Sequence, residues 1–523
     1  MSPALSHAAL WIGSALFFGS LSLVVGMNVT WDTRNYHFYN AYSLLHHRMG
    51  LDWAPAQLQN FLNPGLDVLP YWMMRHWPAP LTGFFLGAVQ GLNFALITET
   101  GLSLWQRIWP ESEVWKWWGL SLAGAAFGCY GPGFLVELGS LSQDNVISLF
   151  VLGALWLVIL ADDRQTTAGR LGSIALAGLL IGLGTGFKLT TALYAVALFF
   201  ALPFRLGSGR ARLPALALLT VFGSLGLAIS GGWWMMLLQQ KFGSPLFPYF
   251  NHIFQSEWVP PLDFRDPAWP PASFWQGVIF PWKMASLAAT GCEQVYREGR
   301  YLLGIAALLG AMFFLPGGAG KAWAGGRPDL RAVLFLGVFS VVAWVTGITL
   351  YGYMRYMVPL ELIVPLLVLV IAGIGGRAGG LVVGAIVLLG LNAVWLRPPA
   401  AERIAWQNRY FQVTPPQLSP DSLVVIMGGE PRAYVIPYFD PAIRFVRPEG
   451  SLMQKAGAPG QMETTILDIV RSHRGPVYVL MADHSAAGPS PFWDAVGRTP
   501  GEPALPVATN IETLKLIPLL PVR

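Results

Sequence analysis

About eleven apolar runs dominate the chain, at 5–27, 81–104, 115–131, 143–161, 171–187, 189–203, 213–238, 301–316, 331–350, 356–373 and 379–396. Each reads as long enough to cross a hydrocarbon core of roughly 30 Å. In lipid a backbone amide must be satisfied inside the protein, so runs of this kind fold as helices. The runs 171–187 and 189–203 abut at Lys188 and read either as one long kinked helix or, as we expect, as two helices split there. Composition agrees: 54% of the 523 residues are hydrophobic and 12% charged, where a soluble domain carries about 25% charged. Twenty-two Trp residues suit aromatic belts at the two headgroup levels. Residues Leu5–Met27 have neither a basic leader nor a small-residue cleavage site, so they read as a retained first span.

The net charge of +5 is scattered through short loops and forms no basic stripe, which argues against a nucleic-acid partner. The positive-inside rule accounts for it instead. With a cytoplasmic N-terminus, the inner loops carry Arg107 and Lys116, then Arg164 and Arg170, then Arg205, Arg210 and Arg212, then Lys321, Arg327 and Arg331, and finally Arg377. An odd span count puts the C-terminus outside. Two outer loops are large, at about 28–80 and 239–300. In the first, Tyr36–His47 places Tyr36, Tyr39, Ser43 and His47 on one stripe and Phe38, Tyr42 and Leu45 on another, the pattern of a helix lying in the membrane interface or, on the plainer reading, of a loop helix that covers the bundle. Residues 269–275, from Trp269 to Trp275, read as interface anchors rather than a platform for a sugar ring.

Residues 1–396 therefore form a transmembrane module, and 397–523 a small extracytoplasmic α/β domain. Strand-like runs appear at Ser422–Met427, Ile443–Val446 and Val477–Met481, with a helix at Thr464–Arg471 and a closing strand at Thr513–Ile517. The turn Gly428-Gly429-Glu430-Pro431 lacks the spacing of a phosphate-binding glycine loop. Cys129 and Cys292, the only cysteines, lack metal-ligand spacing, and their pairing is left open.

Four ionisable residues fall at one rim of the bundle: Asp32 just beyond the first span, Asp144 opening the fourth, Lys188 between the fifth and sixth, and Arg355 opening the tenth. Charges at span edges mark functional sites by default. Plainer readings exist: Lys188 and Arg355 could snorkel to headgroups, and Asp144 could cap its helix. Asp32 has company in Arg34, Asn35, Tyr36, His37 and Asn40. One reaction using carboxylates and cations at a membrane surface is sugar transfer from a lipid-linked phosphate. A carboxylate takes the proton of the attacking hydroxyl, and cations steady the charge gathering on the departing phosphate. The sequence shows no compact metal-binding cluster; Asp32 with His37 is a weak hint of a divalent metal site.

These residues also resemble the GT-C superfamily of membrane glycosyltransferases, which includes protein O-mannosyltransferases and the lipid A aminoarabinose transferase. The likeness covers roughly residues 1–375. It rests on Asp32 followed by the Tyr36–His47 helix, on Asp144-Asn145 ahead of an apolar run, on Gly178, Gly182 and Gly184 in a Leu-rich span ending at Lys188, and on Arg355-Tyr356 three residues before Pro359. The segment Gly243–Asn251 is similar to uncharacterised bacterial members. The resemblance implies a multi-pass enzyme of the bacterial inner membrane that moves a sugar, with inversion, from a polyprenyl-phosphate donor to a glycan, lipid or protein acceptor on the outer side. It implies Asp32 as base, Asp144 as a second acidic residue, and Lys188 and Arg355 at the lipid phosphate. Arg34 and His37 join as further cations, and Tyr36, Asn40 and Tyr356 as pocket residues. The chain departs from the mannosyltransferases in having Asp32-Thr33 where they have Asp-Glu.

A lipid-linked oligosaccharide polymerase or ligase is an alternative, though such enzymes carry their elaborate loop between late spans. A flippase or transporter would place charges at mid-span within inverted half-repeats, and the sequence shows neither. The topology has a direct test. Cysteines placed at Ser208 and Gly320 should be shielded from an impermeant thiol reagent in intact cells, and those at Ser256 and Ser485 should react. Labelling of Ser485 only after lysis would overturn the odd span count.

Overall fold

A computed structural model describes residues 3–161, 166–206, 212–314, 328–375, 379–453, 460–485 and 490–522. Ser208 and Gly320, with Arg164, Arg210, Lys321, Arg327 and Arg377, lie outside the described residues. The chain forms two compact units. One holds Met1–Val24, Phe84–Gly232 and Asp266–Ala401; the other holds Val25–Gly83, Trp233–Arg265 and Glu402–Arg523.

The second unit is built on a mixed sheet. Its strands run in the order Val413–Thr414, Leu505–Thr509, Thr513–Pro521, Val477–Ala482, Leu423–Ile426 and Arg444–Val446, with Arg498–Pro500 pairing the end of Thr513–Pro521. The last three of the main order are parallel to one another. The four expected strands and the expected helix, found at Gln461–Ser472, are all present. The short strands at 413–414, 498–500 and 505–509 carry too little alternation to be read in advance. One hydrophobic core joins all three chain segments, with Leu58 and Phe61 from the first, Trp234, Leu238 and Phe242 from the second, and Val425, Val446, Ile466 and Val479 from the third. The outer edge of the sheet is covered by the first segment. Trp53 N donates to Phe445 O (2.9 Å), Arg447 N to Trp53 O (3.0 Å), and Phe445 N to the Asp52 carboxylate (2.9 Å). Arg48 grips both oxygens of Asp52 at 2.6 and 2.8 Å and also donates to Ile443 O and Pro441 O.

The expected interfacial helix differs. Thr33–His37 forms a π-helical turn, and Phe38–Leu45 continues it as an α-helix in which every residue from Phe38 to Ser43 is buried. Both aromatic stripes find protein: Phe38 packs on Tyr71, Phe411 and Tyr438, and the Tyr39 hydroxyl donates to Asp52. Stripe periodicity cannot tell lipid from protein as the apolar partner. Ser256 is buried too, its hydroxyl donating to Phe242 O, so the labelling experiment moves to exposed Glu257.

In the first unit, each expected span lying there is helical, and 213–238 continues as helix into the second unit. Among the described residues, seven helices are long and apolar enough to cross a membrane: Ala4–Val25, Ala79–Ile108, Thr167–Phe187, Leu189–Leu206, Arg212–Phe242, Leu330–Leu350 and Met354–Ile374. The rest of the expected eleven, Val114–Cys129, Asp144–Leu160, Arg300–Phe314 and Gly380–Trp395, have 15 to 17 residues. At 1.5 Å per residue they measure about 23–26 Å, short of a full crossing. The figure of eleven thus counts helices, of which seven meet the length of a span.

Small residues set a close helix contact in this unit. Gly178, Gly182 and Gly186 lie one above the other on Thr167–Phe187, against Leu219, Gly223 and Ser230; a Cβ at Gly182 would strike Gly223 O. Stripes of small residues four apart let two helix backbones meet. That helix stops at Lys188, which is extended at φ −142° and ψ 112°, and a short 3-10 turn, Leu189–Thr191, begins the next helix. The break falls where it was expected.

Charge in this interior is matched on the spot. Glu361 is fully buried inside a membrane-length helix and accepts from Gly133 N (3.0 Å) and Phe134 N (2.9 Å) at the start of Pro132–Glu137. Arg300, also buried, bonds Gly128 O (3.0 Å), Glu361 O (2.9 Å) and the Glu298 carboxylate (2.9 Å). Cys129 and Cys292 are both free. Removing one member of a buried pair strands its partner, at a cost of about 3–5 kcal/mol. Arg300→Met should therefore lower the melting temperature in detergent sharply, and Glu361→Gln, which keeps one acceptor oxygen, should lower it less. A melting temperature for Arg300→Met equal to the wild type would mean that the charges are solvated.

Candidate functional site

Asp144 is presented by a scaffold of buried polar side chains. Gln90, in the Ala79–Ile108 helix, accepts from Gly139 N (2.7 Å) and donates to Ser140 O (3.0 Å), and Asn93 donates to Asn145 O (2.7 Å). Asn145 in turn donates to Phe134 O (3.0 Å). These bonds hold the loop that enters the Asp144–Leu160 helix. The cap of that helix is Gln143, and Asp144 is its first helical residue with its side chain turned to other work. At the far end, Arg107 and Arg205 both donate to Ile159 O, at 3.0 and 3.1 Å, where cations suit the negative end of a helix. The acid and the two arginines expected on opposite sides of the membrane thus sit at opposite ends of one helix.

Three of the four rim residues come together. Lys188 Nζ lies 2.6 Å from Asp144 Oδ1. Arg355, in the 3-10 turn Met354–Met357, places Nε 4.0 Å from Asp144 Oδ2 and Nη1 4.0 Å from Glu137 Oε1. The carboxylates of Asp144 and Glu137 are 4% and 6% exposed, and the cations Lys188 and Arg355 are 16% and 23% exposed. The acids therefore form the floor and the cations the reachable surface. Tyrosines frame them. Lys188 Nζ is 5.3 Å from the Tyr356 ring centre, and the Arg355 guanidinium is 5.1 Å from that of Tyr353 and 5.7 Å from that of Tyr356. Such distances allow cation–π attraction. The Tyr353 hydroxyl donates to the Glu293 carboxylate at 2.6–2.7 Å, and burial pushes its pKa well up, so it remains the donor. Among the described residues no group of three or more His, Cys, Asp or Glu side chains is placed to hold a metal ion.

Asp32 belongs to the other unit, where it is buried in the helical turn leading into Thr33–His37. Its neighbours in sequence are tied to the protein. Arg34 donates to Val29 O (2.9 Å) and faces Glu402 and Glu512, each at 3.6 Å. His37 Nδ1 meets Asp67 Oδ1 at 2.8 Å with both side chains buried, and the Tyr36 ring lies 4.1 Å from the imidazole. Asn40 donates to Gln59 O (2.8 Å). Asn35 donates to Ala56 O (3.0 Å) and accepts from Arg447 (3.4 Å). Arg447 also donates to Pro55 O and Glu430 O. Burial, with Arg432 as the next cause, pulls the Arg447 guanidinium down to about 9.

The sequence reading did not single out Glu137, Gln90, Asn93, Asp67 or Arg447. Gln90 and Asn93 did leave a signal, as two amides three apart on one face of an apolar span. The other three act through long-range partners that no local spacing reveals.

No family model matches the chain, and no curated protein does. The chain is similar to a crystal structure of the Archaeoglobus fulgidus oligosaccharyltransferase in its apo form, with 12% identity and a TM-score of 0.44, over 91% of this chain and 69% of that one. A score of 0.44 assigns neither fold family nor reaction.

The Lys188–Asp144 pair can be tested by a double-mutant cycle. Lys188→Ala leaves a buried carboxylate without its partner and should cost about 3 kcal/mol or more. Lys188→Ala with Asp144→Asn should recover most of that loss in thermal melting. If the two single changes simply add, the pair is not coupled.

Proposed function

We propose that this protein is a membrane glycosyltransferase that moves a sugar from a polyprenyl-phosphate donor to a hydroxyl-bearing acceptor (a glycan, lipid or protein) on the outer face of a bacterial inner membrane. The observation that carries the reading is the pair of partly exposed cations, Lys188 and Arg355, above buried Asp144 and Glu137 and beside Tyr353 and Tyr356. Arg355 lies beside both acids, is 23% exposed, and has a planar fork that suits two phosphate oxygens. Lys188 is held closer and adds its charge from beside it.

In the proposed reaction Asp32 takes the proton from the acceptor hydroxyl as its oxygen attacks the anomeric carbon from the face opposite the phosphate. The bond from that carbon to the phosphate oxygen breaks with inversion, and the electron pair leaves on the lipid phosphate, where Arg355 and Lys188 offset it. Asp32 holds this role on sequence grounds. Arg34 and His37 enter as residues that hold the Asp32 turn in shape, since their partners are carboxylates of the protein. Tyr36, Asn40 and Tyr356 are proposed for the acceptor and sugar. A transporter is disfavoured because Asp144, Lys188 and Arg355 occupy helix ends and the turn before a helix, while the mid-helix acid, Glu361, is engaged by backbone amides.

Asp32→Asn should fold and insert yet turn over roughly 100-fold more slowly, the scale of a lost general base; near-normal turnover would remove Asp32 from the mechanism. Arg355→Lys should keep partial activity and Arg355→Ala almost none. Arg355→Ala should also bind a polyprenyl-phosphate analogue less tightly while binding the bare polyprenol like wild type. Normal binding and turnover in Arg355→Ala would make that residue a headgroup anchor.

A further inference from the structure

The Phe274–Ala285 helix has two apolar sides, and the protein covers only one. Its start is set by Ser273, whose hydroxyl accepts from Gln276 N. At about 100° per residue, Phe280, Pro281 and Met284 share one arc, and all three are buried. Phe274, Trp275, Val278, Ile279 and Trp282 share another arc of about 140°, and they are 45% to 76% exposed. Exposed Gln276 and Lys283 lie between the two arcs on one side of the helix. Five large apolar side chains on one stripe are more than the scattered exposure of a soluble surface.

The covered side shows where this helix lies. Phe280 meets Trp344 with ring centres 6.2 Å apart, and Gly277 lies beside Ile348, both near the end of the membrane-length helix Leu330–Leu350. Trp395, the last residue of Gly380–Trp395, donates to Ala285 O (3.4 Å). Two apolar helices thus end against it. Its own 12 residues measure about 18 Å, too short to cross a core of roughly 30 Å. Just ahead of it, Trp269 packs edge-on against Tyr353 at 5.4 Å, two residues from Arg355.

We propose that Phe274–Ala285 lies in the plane of the bilayer surface, with its Phe274–Trp282 side among the acyl chains and Lys283 at the headgroup phosphates. A helix with one apolar stripe and a cationic edge binds such a surface, and the end of the membrane-length helix Leu330–Leu350, beside that of the shorter Gly380–Trp395, puts it at that level. Through Trp269 it anchors the Arg355 turn at the membrane boundary, the depth at which a lipid-borne phosphate lies.

The proposal is tested on the full chain in liposomes of phosphatidylcholine and phosphatidylglycerol, with a nitroxide at Val278, at Trp282 or, for comparison, at Lys283. The labels at Val278 and Trp282 should collide readily with oxygen and several-fold less often with a water-soluble nickel chelate than the label at Lys283. Equal access of the chelate to all three would overturn the proposal. So would short-range dipolar coupling between Val278 labels on different molecules, which would show a second copy of the chain on this face. Neither readout needs turnover, so sugar transfer and membrane seating can fail separately.

Discussion

An ion inside an apolar bundle must be neutralised where it stands, because no water is at hand to do it. The first unit answers this in two ways. Around Glu361 the answer is closed: Glu298, Arg300, three backbone carbonyls and two backbone amides leave nothing to be reached from outside. Around Asp144 it is left partly open, with one short ion pair, two long ones and both cations at the surface. The first arrangement fixes the helices, and the second leaves both cations partly exposed.

The two sets are mechanically linked. Glu361 holds the start of the Pro132–Glu137 helix, whose last residue faces Arg355. Glu361 itself sits one turn beyond Val358, directly after the Met354–Met357 turn that carries Arg355. The closed cluster thereby sets the spacing of Arg355 and Glu137, and the glycine stripe of Thr167–Phe187 sets the position of Lys188. Placement of the partly exposed charges depends on groups that are themselves fully buried.

What could be read from the residues follows from range. Apolar runs and the helix break at Lys188 are local, and the structure has them. The strands at 423–426, 444–446, 477–482 and 513–521 alternate or run apolar over enough residues to be recognised. The convergence of Asp144, Lys188 and Arg355 was legible because each ends or opens a span, so span order alone brings them to one level. Glu137 was not legible, since its six-residue helix carries no period. The helix at Phe38–Leu45 misled because aromatic stripes look alike whether lipid or protein covers them. The four shorter helices fall below span length because the runs behind them are themselves short, as 115–131 is against Val114–Cys129.

The shared core of the second unit has a topological consequence. Leu58, Trp234 and Val425 belong to chain segments separated by long helical stretches, yet they pack in one cluster, and a cluster cannot straddle a bilayer. Residues 25–83, 233–265 and 402–523 must therefore lie on the same side, so the chain crosses an even number of times in each intervening stretch. The first stretch holds four of the seven membrane-length helices (Ala79–Ile108, Thr167–Phe187, Leu189–Leu206 and Arg212–Phe242), and the second holds two (Leu330–Leu350 and Met354–Ile374). Both numbers are even already. The short helices are then constrained by parity: Val114–Cys129 and Asp144–Leu160 both cross or both fail to, and the same holds for Arg300–Phe314 and Gly380–Trp395. A single one of them leaving the membrane alone would tear the core of the second unit apart.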